Sequence, residues 1–228
     1  MILQAIVFDF DGVIADSERL HLRAYQEVLE PEGIELSERD YYDRYLGYDD
    51  VGVLQEIGKD RGIAMNQLRI ADLVERKGHR YEQLALAGEM LYPGAAEFIR
   101  AAAARVPIAI ASGALTHEIE EILRRTGLRA LFPVIVGADQ TARSKPHPEP
   151  YQTAFARLKA HTGRELEPWR SVAIEDSKWG LVSARGADLR LVAVTNTYSA
   201  AELREDAELV CAGLKELTLE RLDALVSD

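Results

Sequence analysis

Five short runs of consecutive apolar residues divide this chain of 228 residues. They lie at residues 5–8, 107–111, 134–136, 172–174 and 191–194. Runs that are apolar at every position, rather than at alternate positions, are typical of strands buried on both faces of a parallel sheet. Helical patterns separate the last four runs. This alternation predicts an α/β fold with a doubly wound, Rossmann-like parallel sheet.

Cap residues and apolar periodicity predict the helices between these runs. A helix over 95–104 precedes the second run, and Thr116 is expected to cap a helix that Gly127 ends. A further helix over 148–161 begins with proline in its first turn, and the last of these helices spans 178–185. Each predicted helix is long enough to cover part of the sheet.

The segment from residue 16 to residue 88 breaks the alternation. It contains helical patterns and glycine-marked turns but no strand-like run, and Ser17 is expected to cap its first helix, with Leu20, Ala24 and Tyr25 on one side. The simplest account is an all-helical domain inserted after the first strand. We therefore expect a core domain of residues 1–15 and 89–228 and a helical domain of residues 16–88.

Charge and cysteine content exclude several classes of function. The 27 basic and 38 acidic residues give a net charge of −11, which disfavours binding to nucleic acid and to anionic membrane surfaces. The single cysteine, Cys211, excludes an internal disulfide and a multi-cysteine metal cluster, and we expect it to be buried. The chain lacks a signal-peptide pattern and a long apolar span, so we expect a cytoplasmic location. A monomer is the default expectation, since no pattern in the sequence indicates an oligomeric state.

Polar side chains follow four of the apolar runs, at the point where each predicted strand ends. They are Asp9 and Asp11 after the first run, Ser112 and Gly113 after the second, Lys145 downstream of the third, and Glu175 and Asp176 after the fourth. Alone, each piece would fit a turn, a loop, an exposed amine or a helix start. Ligands of open parallel sheets bind at the carboxyl ends of the strands, so the set predicts one shared site.

Four of these side chains are carboxylates, which repel one another unless a cation neutralises them. Mg²⁺ is the expected cation because the ligands are all oxygens and are few. A calcium loop of the EF-hand type fits poorly, since the third oxygen ligand and the distant glutamate are out of register.

These motifs, in this order, resemble the four motifs of the haloacid dehalogenase superfamily of phosphotransferases. The matching residues are Asp9-Phe10-Asp11-Gly12-Val13, Ser112, Lys145 and Glu175-Asp176. The resemblance covers essentially the whole chain, including the helical cap inserted after the first motif. It indicates the group of β-phosphoglucomutase and small-molecule phosphatases. It implies a Mg²⁺-dependent phosphatase of a small phosphorylated metabolite, of the sugar phosphate or phosphoglycolate type.

The resemblance also implies a role for each matching residue. Asp9 would attack phosphorus and form an aspartyl-phosphate, and Asp11 would protonate the leaving oxygen and then activate water. Mg²⁺ would be held by Asp9, by the backbone carbonyl of Asp11 and by Asp176, with Glu175 binding it directly or through water. The phosphoryl oxygens would be bound by Ser112, Gly113 and Lys145.

A mutase of the β-phosphoglucomutase type is the alternative activity. That group holds a second phosphate chiefly through a cap arginine, and Asp50 stands at the matching position of this chain. Lys77 resembles the second cap cation of the group and His21 its cap-entry histidine, which keeps the alternative open. Because Asp50 would repel a bisphosphate, hydrolysis is the preferred interpretation.

Substrate selection is expected to depend on the cap. The candidate residues there are His21, Tyr48, Asp50 and Lys77, chosen by position alone. A non-catalytic binding module is the remaining hypothesis. Loss of an acid or of the lysine from the four motifs would have favoured it, and all of them are present.

Overall fold

The structure is a computed structural model that describes residues 2–45, 48, 50–86 and 90–227. The chain divides into two compact units. The first comprises Met1–Asp16 and Leu91–Asp228, and the second comprises Ser17–Met90. The first unit contains a six-stranded sheet, and the described part of the second is helical. This confirms the predicted α/β fold with a helical insert near the N-terminus.

All six strands of the sheet are parallel, in the order β3-β2-β1-β4-β5-β6. They are β1 (Ala5–Phe8), β2 (Ile108–Ala111), β3 (Val134–Val136), β4 (Ser171–Glu175), β5 (Arg190–Val194) and β6 (Leu209–Cys211). The strands β2 and β3 lie on one side of β1, and β4, β5 and β6 lie on its other side. The direction in which successive strands are added to the sheet therefore reverses between β1 and β4. The carboxyl ends of β1, β2 and β4 therefore meet at this switch point, where such sheets bind ligands.

Helices cover both faces of the sheet. Those of the first unit are α5 (Ala95–Ala103), α6 (Thr116–Arg125), α7 (Glu149–Thr162), α8 (Lys178–Arg185), α9 (Ala200–Leu203) and α10 (Leu219–Leu225). Ala5 and Val7 of β1 pack in one cluster with α7, α8 and α9. Phe8 contacts Phe98 of α5 and Phe132 edge to face. The alternation of side chains along β1 thus buries both faces of the strand.

The chain leaves the first unit and re-enters it at neighbouring points. Ala15 and Leu91 form an antiparallel bridge, and the Tyr92 amide donates to the Ile14 carbonyl at 3.0 Å. The two connections to the second unit therefore start side by side.

The second unit has its own apolar core. Its helices are α1 (Ser17–Leu29), α2 (Glu38–Asp40) with a π-helical turn over Tyr41–Tyr45, α3 (Asp50–Arg61) and α4 (Gln67–Leu86). Tyr25, Leu54, Ile57 and Leu73 are buried together at the centre of this core. The predicted boundary at residue 88 lies outside the described residues.

Three local predictions differ from the structure. Thr116 is the first residue of α6 rather than its cap, and its hydroxyl donates to Asp139 and accepts from Gln140 instead of from a helix amide. Ser17 likewise begins α1 instead of preceding it. No strand is predicted at β6, although its three residues are all apolar. Cys211 in that strand is buried, as predicted.

No helix in the described part of the chain is both long and apolar enough to span a membrane. The cytoplasmic location and the monomeric state stay predictions.

Candidate active site

Three buried carboxylates meet at the switch point of the sheet. Asp9 follows β1, and its amide donates to the Ile174 carbonyl of β4 at 2.9 Å, which brings it beside the end of β4. One ligand oxygen from each of Asp9, Glu175 and Asp176 lies within 4.8 Å of the others. Glu175 has no solvent exposure, and the other two are less than a tenth exposed. The sequence prediction that these acids converge is therefore seen in the structure.

Lys145 is the cation that faces this cluster. Its ammonium lies 2.8 Å from Asp9 Oδ1 and 2.6 Å from Glu175 Oε1. Burial alone would lower the pKa of Lys145, but the two carboxylates raise it above its usual value. Lys145 therefore carries a full positive charge at neutral pH.

Glu175 is the most extensively hydrogen-bonded acid of the cluster. Oε1 accepts from Lys145 and from the Tyr151 hydroxyl at 3.0 Å, and Oε2 accepts from the amides of Asp176 and Ser177 and from the Ser177 hydroxyl. Burial favours its neutral form, but Lys145 and these donors lower the pKa of Glu175 below its usual value. A Cβ at Gly180 would collide with this carboxylate, so the first turn of α8 requires glycine there.

Asp176 is enclosed by residues from the ends of β1 and β5. The Thr197 hydroxyl donates to Asp176 Oδ2. Gly12, with φ of 77°, lies so close that a Cβ there would overlap the Asp176 carboxylate. Asn196 holds this turn, because its Nδ2 donates to the Gly12 carbonyl at 2.7 Å. Burial raises the pKa of Asp176 to about 7, and the charge of Glu175 adds to the increase.

The donor set of this cluster fits a divalent cation. Burial, followed by the charge of Glu175, raises the pKa of Asp9 well above its usual value in spite of Lys145. Three carboxylates thus share one ammonium, which leaves excess negative charge in a buried space. Asp9 and Asp176 offer hard oxygen ligands to such an ion, whereas both Glu175 oxygens already accept several hydrogen bonds.

The predicted phosphate-binding residues lie on the neighbouring strand end. Ser112 follows β2 and is buried, and its hydroxyl accepts a hydrogen bond from the Ala114 amide at 3.1 Å. Gly113 is exposed. The loop is held from the far side by Asp139, which accepts from the amide and hydroxyl of Thr116 at 2.8 and 2.7 Å.

Asp11 stands apart from the three-carboxylate cluster. It is partly exposed and pairs with Ala15 through the backbone in a turn that includes Gly12. Its carboxylate is not one of the three converging groups. Of the four carboxylates predicted to converge, three therefore do so, and Asp11 is the exception.

Three residues that contact the cluster or the Gly12 turn, Tyr151, Asn196 and Thr197, are not among those predicted from the sequence. Asn196 and Thr197 lie two and three positions after the last residue of β5, so their place at a strand end was a signal for them. Tyr151 lies in the first turn of α7, and its sequence position indicates only a buried helix residue.

Three of the four predicted cap residues lie around a second polar cluster, within the helical unit. Lys77 of α4 donates to His21 Nδ1 at 2.7 Å and to Asp50 Oδ1 at 2.6 Å. The Tyr25 hydroxyl donates to the same Asp50 oxygen at 2.6 Å, and the Lys77 ammonium lies 4.8 Å from the centre of the Tyr25 ring. Tyr48, the fourth predicted residue, is 54% exposed.

His21 is neutral in this cluster. An ammonium group has donors but no acceptor, so His21 Nδ1 accepts and carries no proton. Burial, followed by the charge of Lys77, lowers the pKa of His21 to about 4, against the opposing effect of Asp50. The histidine ring also stacks on Tyr81.

This environment predicts a loss of stability at acidic pH. As the pH falls from 6.5 to 4, unfolded His21 takes up a proton that the folded protein excludes, so the free energy of unfolding decreases. Relative to His21→Gln, the wild type should lose about 2 kcal/mol over this range, measured by urea unfolding. His79→Gln, at an exposed histidine of the same helix as Lys77, is the control and should follow the wild type. A constant difference between wild type and His21→Gln would contradict the prediction.

Comparison with known proteins identifies the family to which this chain is similar. The model of the haloacid dehalogenase-like hydrolases matches residues 6–194. The protein CbbY of Rhodobacter capsulatus is 34% identical over 209 residues, which cover 87% of this chain and 88% of that protein. A phosphorylated carbohydrates phosphatase of Thermotoga maritima is 32% identical, over 83% of this chain and 84% of that protein. The crystal structure of a CbbY mutant from Rhodobacter sphaeroides, in complex with xylulose 1,5-bisphosphate, has a TM-score of 0.67 and 30% identity, covering 97% of this chain and 99% of that one.

Proposed function

The chain belongs to the haloacid dehalogenase-like hydrolases and is a phosphatase of phosphomonoesters, and we propose that it hydrolyses a small phosphorylated carbohydrate with Mg²⁺ through an aspartyl-phosphate. The family resemblance predicted from the four motifs is thereby confirmed. The relative named as a phosphorylated carbohydrates phosphatase supports the substrate class.

One observation carries the mechanism. Asp9 lies at the switch point with one oxygen 2.8 Å from the Lys145 ammonium and with Asp176 beside it. A carboxylate nucleophile needs such positive charge, because the phosphoryl group that it attacks is itself negative. Mg²⁺ held by Asp9, Asp176 and the Asp11 carbonyl would supply further neutralisation of that charge.

In the first step, an oxygen of Asp9 attacks phosphorus and the bond between phosphorus and the ester oxygen breaks. Asp11 donates its proton to the departing oxygen, so the alcohol leaves neutral. The phosphoryl oxygens are bound by Ser112, the Gly113 amide and Lys145. Glu175, Tyr151 and Ser177 form the hydrogen-bonded support that holds Lys145 in place.

In the second step, water attacks the phosphorus of the aspartyl-phosphate. Asp11, now ionised, accepts the proton of that water, and the bond to Asp9 breaks to release inorganic phosphate. Asp9 is then a free carboxylate and Asp11 is protonated, as both were before the first step.

The assay is release of inorganic phosphate from p-nitrophenyl phosphate and from a panel of sugar and polyol monophosphates. We expect release with Mg²⁺ and a fall to background with EDTA, restored by added Mg²⁺ but not by Ca²⁺, whose larger coordination sphere fits two carboxylates poorly. Release that is insensitive to EDTA would contradict the metal requirement. No release from any ester would favour the binding module.

A further inference from the structure

The two residues after Thr195 contact the candidate active site but belong to none of the four motifs. The Thr195 amide donates to the Cys211 carbonyl of β6 at 3.0 Å, which fixes the chain as it leaves β5. Asn196 then donates to the turn after β1, and Thr197 donates to the acid after β4. One short segment therefore joins three strand ends of the first unit.

Thr197 fixes the orientation of the Asp176 carboxylate. The Thr197 hydroxyl donates to Asp176 Oδ2, and the backbone of Gly12 lies against the same oxygen. A carboxylate that is held at one oxygen presents the other oxygen in a defined direction. Hydrogen bonds of this kind orient the ligands of metal ions in proteins.

Asn196 holds the turn after β1. Its Nδ2 donates to the Gly12 carbonyl at 2.7 Å, and the Gly12 amide donates to the Ala15 carbonyl at 3.1 Å. Gly12 has φ of 77° and no side chain to restrict it, so its backbone would otherwise rotate easily. Fixing both polar groups of Gly12 limits rotation on either side of it, which includes the peptide that carries the Asp11 carbonyl.

These two hydrogen bonds act on two of the three ligands that the proposed mechanism assigns to Mg²⁺, namely Asp176 and the Asp11 carbonyl. We propose that Asn196 and Thr197 are positioning residues for this ion. The first orients the peptide that carries the Asp11 carbonyl, and the second orients the Asp176 carboxylate. This inference rests on the proposed function, from which it takes the metal ligands.

The test measures the dissociation constant of Mg²⁺ for the full, metal-free chain, from the rise of its unfolding temperature with Mg²⁺ concentration. Thr197→Val has nearly the same shape but lacks the donor, so it should weaken Mg²⁺ binding by at least about tenfold. Thr197→Ser keeps the hydroxyl and should restore most of the affinity. A residue that only fills space would give the opposite order, because serine is the smaller side chain.

Asn196→Leu removes the donor to Gly12 and should likewise weaken Mg²⁺ binding by about tenfold. Turnover of p-nitrophenyl phosphate at saturating Mg²⁺ should also fall by about tenfold, because the same turn carries the acid–base side chain of Asp11. If this variant fails to fold, Asn196→Ala takes its place, since it removes the same donor with less bulk.

Gln152→Leu and Thr126→Val are the matched controls. Gln152 donates from its side-chain amide to a glycine carbonyl at 3.1 Å, and Thr126 donates from its hydroxyl to a helix carbonyl at 2.9 Å. Neither carbonyl belongs to the proposed site, so both variants should keep the wild-type dissociation constant for Mg²⁺.

Unchanged Mg²⁺ affinity in Thr197→Val or Asn196→Leu would overturn the proposal. A loss that Thr197→Ser does not restore, or an equal loss in the two controls, would also overturn it. In each of these cases the wild type still binds Mg²⁺ and hydrolyses p-nitrophenyl phosphate, so the proposed function survives. If the wild type binds no Mg²⁺, the metal requirement of the proposed function fails, and this inference fails with it.

Discussion

Asp9→Asn is expected to reduce phosphate release by at least about 10⁴-fold, because an amide cannot form the phosphorylated intermediate. Rapid quenching of the wild type during turnover, followed by mass spectrometry, should identify a phosphoryl adduct on the peptide that contains Asp9. The variant should lack this adduct. It should still fold, since it removes one negative charge from a buried cluster of three acids.

Asp206→Asn is the control for this variant. Asp206 belongs to the same unit, where it lies 3.6 Å from Arg185 at the surface. The control should retain wild-type turnover and the adduct. Substantial activity of Asp9→Asn, or an adduct on another residue, would disprove the assignment of the nucleophile.

Lys145→Met is expected to have the second large effect, and on stability as well as activity. It leaves Asp9 and Glu175 buried without their cation, which should cost about 3–5 kcal/mol of unfolding free energy in the metal-free protein. Turnover should fall by about 10³-fold, because a donor to the phosphoryl oxygens is lost. Urea unfolding and phosphate release measure the two effects separately.

The double variant Lys145→Met with Glu175→Gln distinguishes the charge effect from a packing effect. It removes one negative charge together with the positive one, so it should recover part of the lost stability but none of the activity. Lys159→Met is the control, because Lys159 pairs with the exposed Glu165 and should contribute less than about 1 kcal/mol. Equal destabilisation by the single and double variants would contradict this account.

Most of the sheet could be predicted from the sequence because its strands are apolar on both faces. The strand β4 is longer than the apolar run at 172–174 by one polar residue at each end. These two residues, Ser171 and Glu175, are buried and hydrogen-bonded. Periodicity cannot detect such residues. The edge strand β6 is apolar at all three positions, but two of them are only half-buried, and a run this short does not by itself distinguish a strand from a loop.

The acids and the lysine of the site could be predicted because parallel strands deliver their following residues to one edge. The hydrogen-bonding environment of each of these residues could not be predicted. Whether Glu175 contacts a metal or supports Lys145 depends on which donors surround it, and those donors include Tyr151, 24 positions earlier in sequence. In the helical unit, the pairing of Lys77 with Asp50 joins α4 to α3 across 27 positions, and only tertiary packing determines it.

The bridge between Ala15 and Leu91 has a consequence for how such proteins diversify. The points at which the chain leaves and re-enters the first unit are adjacent. A segment of almost any length can therefore be inserted there without straining the strands of that unit. Recombination that replaced residues 17–90 would leave the strand ends of the proposed active site in register. New substrate ranges could therefore arise by exchanging one module, while the reaction chemistry was inherited unchanged.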